Sequence, residues 1–208
     1  LLLAKTGVGP DNAEAAARHL FEEAPVTAAF SLGVAGGLSP QLQTGDLIVG
    51  NRVIFHGRKG SRLESFPCDS GLQEAAMTVI RRFDSRHCLG PILTVDRIVL
   101  TAEEKRQLAK DSGAMAVDME SAAIASAASA YSVPFLTIRG VLDPVHEELG
   151  IAFDRFLDGR GEPKPLSLIR YLLAHPFALA HLVGLSRRTK AVCARLGLLL
   201  HELSTTLS

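Results

Sequence analysis

Two acidic residues separated by one position, Asp118 and Glu120, stand in the run Val117-Asp118-Met119-Glu120-Ser121, directly ahead of an Ala-rich stretch. Carboxylates here suit the start of a helix, where they cap free N–H groups and complement the helix dipole. The same pair suits sugar binding. One carboxylate carries two acceptor oxygens at the spacing that a ribose 2′,3′-diol requires, and Met119 offers a soft apolar contact beside it. A second cluster is Arg139-Gly140-Val141-Leu142-Asp143-Pro144, with an Asp at the end of an apolar run. Asp-Pro reads as a turn, or else Asp143 is a partly buried acid whose raised pKa fits it for proton donation. Arg139 has two readings as well: an ion pair within the sheet, or the residue that orients Asp143. A third cluster, Gly7-Val8-Gly9-Pro10-Asp11-Asn12, has the composition of a turn or of a loop that aims backbone N–H groups at an anion or sugar. It lacks the spacing of a dinucleotide fingerprint and the lysine of a P-loop.

Other chemistries leave no trace. The seven histidines show no H-x-x-x-H or H-E-x-x-H spacing, so no metal site is expected. His56 and His146 read as loop residues, at the surface or lining a site. There is no G-x-S-x-G elbow. Cys68, Cys88 and Cys193 are widely separated and odd in number, which fits reduced thiols and not a disulfide framework.

The elements that must hold these clusters alternate in type. Strands are expected at Leu1–Ala4, Val26–Leu32, Asp46–Val49, Arg52–Phe55, Pro91–Val95, Met115–Val117 and Pro134–Val141. Gly50-Asn51 reads as the turn that splits the third from the fourth. Helices are expected from Asn12 to Glu23, Gly71 to Phe83, Thr101 to Lys110 and Ser121 to Tyr131, and from Leu166 onward with an interruption at Pro176. Thr101 and Glu104 have the spacing of a capping box. Gly57–Ser70 reads as loop. Alternation of this kind predicts an α/β fold, a three-layer αβα sandwich with a mixed, mostly parallel central sheet. Ligands of such sheets gather at the carboxyl ends of strands, where all three clusters fall.

The chain has 208 residues, of which 47% are hydrophobic and 21% charged, enough for one large domain with a substantial core. Lys and Arg (22) equal Asp and Glu (22), which gives no argument for nucleic-acid binding. The balance is uneven along the chain: from Pro163 to the end six bases face one acid, a net of +5. We therefore expect an α/β domain over 1–162 and a basic, apolar helical extension over 163–208 packed on it. No signal peptide is visible, and the opening Leu1-Leu2-Leu3-Ala4-Lys5 reads as a strand entered midway, so residues are expected ahead of Leu1. The most apolar stretch, Leu166 to Leu185, contains Arg170, His175, Pro176 and His181, against a membrane-spanning helix.

Taken in order, LLLAKTGVGPDNAEAA, FSLGVAGGLSPQLQTGDLIVG and AVDMESAAIASAASAYSVPFLTIRGVLD resemble the nucleoside phosphorylase and methylthioadenosine/adenosylhomocysteine nucleosidase superfamily. The resemblance runs from Leu1 to about Pro144. Any one piece is weak; GVAGG with GD, VDMES and RGVLD in register are specific together. The resemblance implies cleavage of the N-glycosidic bond of a purine nucleoside without metal or organic cofactor, by a homo-oligomeric cytoplasmic enzyme. Asp143 then matches the acid that serves purine N7, Glu120 the ribose-diol carboxylate, and Met119 the residue packed on the sugar. Ile98, Val99, Ala35 and Gly36 match purine-binding positions, with Arg139 and Asp118 in support.

Three departures bear on the reaction. Ser31 and Val34 stand where family phosphorylases place an Arg and a Ser on phosphate, which favours hydrolysis over the use of phosphate as co-substrate. Leu142 stands where nucleosidases place a Ser beside the catalytic Asp. Their water-activating Glu lies in a segment that would precede Leu1. The long tail, LSLIRYLLAHPFALAHLVGLSRRTKAVCARLGLL, is similar to the hopanoid-associated branch, whose members release adenine from adenosylhopane. A basic, apolar tail suits a lipid-linked nucleoside and peripheral contact with the inner membrane face; it equally suits helices packed on the sandwich or on a dimer mate. The alternatives are a soluble-nucleoside enzyme (methylthioadenosine/adenosylhomocysteine nucleosidase, futalosine hydrolase or purine nucleoside phosphorylase) and a catalytically silent purine-binding protein.

Overall fold

The computed structural model describes residues 1–56, 63–83, 85–148 and 176–206. Six strands are present among them: β1 (Ala29–Gly37), β2 (Leu47–His56), β3 (Glu64–Pro67), β4 (His87–Val95), β5 (Ala116–Asp118) and β6 (Phe135–Asp143). Five helices accompany them: α1 (Pro10–Glu23), α2 (Ser70–Ile80), α3 (Ala102–Ser112), α4 (Ser121–Ala130) and α5 (Pro176–Thr206). The strand order is β3-β2-β4-β5-β1-β6, and β2 also pairs with β6. The sheet is mixed: β1–β6, β2–β4 and β4–β5 run parallel, while β1–β5, β2–β3 and β2–β6 run antiparallel.

The β2–β6 pairing closes β2, β4, β5, β1 and β6 into a ring. Its interior holds one buried side chain from each strand (Ala35, Ile48, Ile92, Ala116 and Val141), with Leu42 packed among them. This closure depends on β2 being a single bent strand and not the two expected on either side of Gly50-Asn51. The register with β4 shifts between Gly50 and Val53. Leu47–Val49 can then pair with β6 while Arg52–Phe55 pair with β3. Gly50 permits the bend, because a Cβ there would sit 2.5 Å from Thr137 Cγ2. Extra strand structure also appears at Glu64–Pro67, within the stretch read as loop.

Helices cover both sides. On one, α2, α4 and α5 pack on the sheet around Leu72, Val79, Ala125, Leu136, Ile138 and Leu196. On the other, Leu108 of α3 joins Leu38, Ile54, Leu93, Val95 and Val99. Thr101 caps α3, its Oγ1 accepting from the Glu104 N–H at 3.2 Å. The reciprocal half of the expected box is redirected, since Glu104 Oε1 lies 2.5 Å from Arg97 Nη2.

The expected strand at Leu1–Ala4 is irregular chain, with Leu1 and Leu3 well exposed. No ladder among the described residues includes it, and a strand without a partner leaves its backbone groups to water. Leu1, Leu2 and Leu3 border an apolar cavity of about 430 Å³ with Leu20, Phe30 and Ile124, and no candidate site residue lines it. The expected domain boundary at 162/163 and the helix expected over 166–175 lie outside the described residues. From Pro176 the described chain is one 31-residue helix with Pro176 at its first position; whether helix precedes that proline lies outside the described residues. That position suits proline, whose missing N–H would have no partner in the first turn. No described helix is long and apolar enough to cross a membrane.

Val192, Leu196, Leu199 and Leu203 of α5 are buried at i, i+4, i+7 and i+11, one stripe along the helix. Val192 approaches so closely that a Cβ on Gly140 of β6 would fall 2.1 Å from its Cγ1. We therefore expect Gly140→Ala to cost about 1–3 kcal/mol through overpacking. Adding Val192→Ala should recover part of that loss, as read from urea unfolding midpoints.

Candidate active site

The carboxyl ends of β1 and β6 meet antiparallel β5 at Gly36. In the ladders Gly36 lies opposite Val117 of β5 on one side and Asp143 of β6 on the other. A Cβ on Gly36 would contact Val117 Cγ1 at 3.3 Å and Asp143 Oδ2 at 3.4 Å. Glycine here leaves the Asp143 carboxylate open space over β1. Ala35, one residue earlier, turns its methyl into the ring interior. Alternation of side chains along a strand makes neighbouring positions face opposite ways.

Asp118 and Glu120 take different roles. Asp118 is buried and fully engaged. Its Oδ2 accepts from Arg139 Nε at 2.6 Å and from Ser121 Oγ; its Oδ1 accepts from Thr94 Oγ1 at 2.6 Å and from the Ser121 N–H at 3.3 Å. It therefore anchors the start of α4 and has no oxygen left for a sugar. Glu120 lies at the N-terminus of α4, half-buried, with no capping bond of its own to that helix. Its Oε1 accepts at 2.8 Å from the N–H of Gly9, 111 residues away. Gly9 holds φ at +95° as the N-cap of α1, a conformation that favours glycine. The Gly7–Asn12 loop thus presents its backbone to a carboxylate of the protein, which fixes Glu120 against the start of α1. Burial pushes the Glu120 carboxyl above the ordinary carboxylate range, with the Gly9 N–H pulling against it and the Asp118 charge adding to it.

Of the two readings of Arg139, the ion pair is the one formed. Its guanidinium reaches Asp118 and both oxygens of Ser31, Nη1 donating to the carbonyl at 3.0 Å and Nη2 to Oγ at 2.8 Å. Gly33 makes room for it; a Cβ there would lie 3.2 Å from Nη1. Asp143 is held instead by Lys105 of α3, whose Nζ donates to its Oδ2. The motif reading missed Lys105. Its signal was positional: Ala102, Lys105 and Leu108 form the buried i, i+3, i+6 stripe of α3, and a lysine on such a stripe needs a partner. Burial raises the Asp143 carboxyl, and the Lys105 ammonium opposes that rise.

Met119 is half-buried between β5 and α4. Ile98 and Val99 lie in irregular chain between β4 and α3, with Val99 packed inward. His56 ends β2 and is half-buried, while His146 is exposed. Among the described residues no group of three or more His, Cys, Asp or Glu side chains could hold a metal.

Residues 1–174 match the phosphorylase superfamily, and the chain belongs to it. It is an enzyme of that superfamily, of the nucleosidase or nucleoside phosphorylase kind. Among its relatives is the 5′-methylthioadenosine/S-adenosylhomocysteine nucleosidase of Staphylococcus haemolyticus, 28% identical over 188 residues, covering 83% of this chain and 81% of that one. The enzyme of the same name from Staphylococcus epidermidis is 27% identical over 170 residues, covering 76% and 75%. The Neisseria meningitidis nucleosidase, solved in complex with methylthio-immucillin-A, superposes with a TM-score of 0.75 at 24% identity, over 98% of this chain and 80% of that one. Helicobacter pylori futalosine hydrolase shares the fold at a TM-score of 0.64 and 23% identity, over 75% of this chain and 72% of that one.

The raised Glu120 carboxyl has a consequence for stability. Its folded-state pKa lies above the unfolded value of about 4.3, so the stability it confers is full below that pH and is lost as pH rises through the folded value. Glu120→Gln keeps an acceptor for Gly9 and never ionises. We expect it to be more stable than the wild type at pH 7, with the gap closing towards pH 4 in urea titrations. A gap of equal size at both pH values would contradict this account.

Proposed function

We propose that this enzyme hydrolyses the N-glycosidic bond of an adenine nucleoside, and that its substrate is adenosylhopane. The observation that carries the reaction is the placement of Asp143: a buried carboxylate over Gly36, at the strand ends where Glu120 is held by Gly9. In this reading Asp143 delivers a proton to purine N7, which lets adenine leave with the bonding electrons. Glu120 accepts from the ribose hydroxyls and steadies the cationic sugar, Met119 packs on that sugar, and the backbone of Ile98 and Val99 holds the base. Asp118 and Arg139 keep the strand ends and α4 in register. Water captures the ribosyl cation, and the reaction uses no metal or organic cofactor.

Hydrolysis is favoured over phosphorolysis by the surroundings of Ser31. It is buried, and both its oxygens already accept from Arg139. The 5′-lipid reading is supported by the resemblance of the tail and by the outer face of α5, where Arg187 and Lys190 lie beside exposed Val183 and Leu198. Such a face suits an anionic membrane surface, and we place the enzyme at the cytoplasmic side of the inner membrane as a homo-oligomer. The names of the curated relatives favour a second reading, a nucleosidase acting on methylthioadenosine or adenosylhomocysteine.

Adenine release from adenosylhopane and from methylthioadenosine, each with and without phosphate, separates these readings. Phosphate-independent cleavage of adenosylhopane is the expected result. Preference for the short nucleoside, or dependence on phosphate, would assign the enzyme to the alternative. Asp143→Asn should slow base release by about 10²–10⁴-fold while adenine still binds in calorimetry. Co-sedimentation with phosphatidylglycerol vesicles should weaken as salt rises; equal recovery with neutral vesicles would remove the membrane role.

A further inference from the structure

Lys105 is completely buried, and its Nζ faces only oxygens of the turn that leaves β6. It donates to the Asp143 carboxylate, to the Pro144 carbonyl at 3.0 Å and to the Glu147 carbonyl at 2.8 Å, with the Asp143 carbonyl farther off at 3.5 Å. An ammonium has three N–H donors and no acceptor. All three are therefore placed: two on main-chain carbonyls and the third on the carboxylate over Gly36. Helix α3 does not require a lysine here, since an aliphatic side chain would complete the Ala102–Leu108 stripe at no cost in desolvated charge. The two carbonyls matter most. A neutral amine keeps two N–H donors, so they would still hold Nζ after the third proton had left.

We propose that Lys105 is a positioning residue for Asp143 and the source of the proton that Asp143 delivers to the leaving base. This rests on the assignment of Asp143 as general acid made above. In the resting pair the proton sits on Nζ and the carboxylate is ionised. As the C1′–N9 bond breaks and its electrons enter the purine, the carboxyl group gives a proton to the N7 lone pair. That proton reaches the carboxylate from Nζ in the same step, the N–H electrons becoming the amine lone pair, so Asp143 ends ionised as it began and Lys105 ends neutral. The water that captures the ribosyl cation releases one proton to solvent, which restores the ammonium. Lys105 also fixes the carboxylate orientation over Gly36, because Oδ2 is tied to α3 while the carbonyls tie the turn to the same nitrogen.

The charged groups facing Asp143 among the described residues are Lys105 from α3, Glu147 from the turn and Arg188 from α5; Arg188 Nη1 pairs with Glu147 Oε1 at 2.6 Å. Glu147 and Arg188 oppose one another, so Lys105 is the dominant partner. Burial raises the Asp143 carboxyl, but a lone carboxyl has no neighbouring donor from which to regain a proton. With Lys105 in place, an ammonium hydrogen-bonded to Oδ2 stands ready to supply that proton.

The test is the pH dependence of kcat for adenine release, on adenosylhopane and methylthioadenosine, in the wild type, Lys105→Met and Asp143→Asn. The wild type should hold its activity to pH 8. Lys105→Met should stay within about threefold of it at pH 5 but fall roughly 100-fold behind at pH 8, with KM little changed. A wild-type profile that already declines between pH 5 and 7 would overturn the proposal without recourse to any variant. So would a Lys105→Met profile parallel to the wild type, whether equal or uniformly lower, since a packing role alone shifts rate without shifting the limb. Lys105→Arg keeps charge and donors but does not release its proton, so it should remain slow at pH 8; full rescue by Arg would overturn proton supply. Full activity in Asp143→Asn would instead remove the general-acid assignment on which the proposal stands. An inactive Asp143→Asn with an unshifted Lys105→Met removes only the role of Lys105.

Discussion

The buried pair between Asp118 and Arg139 is the constraint around which the strand ends are organised. Arg139 enters from β6, Asp118 ends β5, and Ser31 of β1 accepts from Nη1 and Nη2 of the guanidinium. Thr94 of β4 and Ser121 of α4 complete the set, and Thr137 of β6 bonds Ser121 at 2.7 Å. Four of the five ring strands and one helix thus meet in a single polar network with no oxygen of Asp118 left over. Burying two charges is costly, and the network compensates through short, charge-assisted bonds at both ends. Removing either partner would strand a charge in the core, which makes the arrangement all-or-none.

This network explains why two carboxylates so near in sequence behave differently. Asp118 lies at the end of β5, so its side chain turns into the ring wall. Glu120, two residues on, has left the ladder and meets the Gly9 N–H at the start of α1. The first acid secures the frame, and the second ties two helix N-termini together. A comparable division separates the two buried cations. Arg139, with its planar fork, satisfies a carboxylate and a main-chain carbonyl together, whereas Lys105 is a compact donor that gathers three oxygens of one turn around the acid.

The closed ring gives this site its rigidity. Once β2 reaches β6, the strand bearing Asp143 has a neighbour on each side, with Val192 of α5 seated against Gly140. A catalytic group on such a strand is positioned by core packing and ladder bonds more than by its own rotamer preference. Among the described residues, Lys105 supplies the hydrogen bond to the Asp143 carboxylate.

Local patterns in the sequence determined a great deal. Thr101 fixed the start of α3 and the small residues after Glu120 fixed α4; Glu120 and Asp143 stood out as acids where a strand gives way to a helix or turn, while Gly36 entered only through the family resemblance. These features depend on neighbours within a few residues, which a linear chain displays. The tertiary structure alone decided the rest. That β2 is one bent strand depends on β3, β4 and β6 offering edges to its two halves. Which acid Arg139 would choose, and that Lys105 would take the other, is a matter of distance in space: the partners are 21 and 38 residues apart in the chain. A buried charge is satisfied by whatever the fold places beside it, and that placement is written in no local pattern.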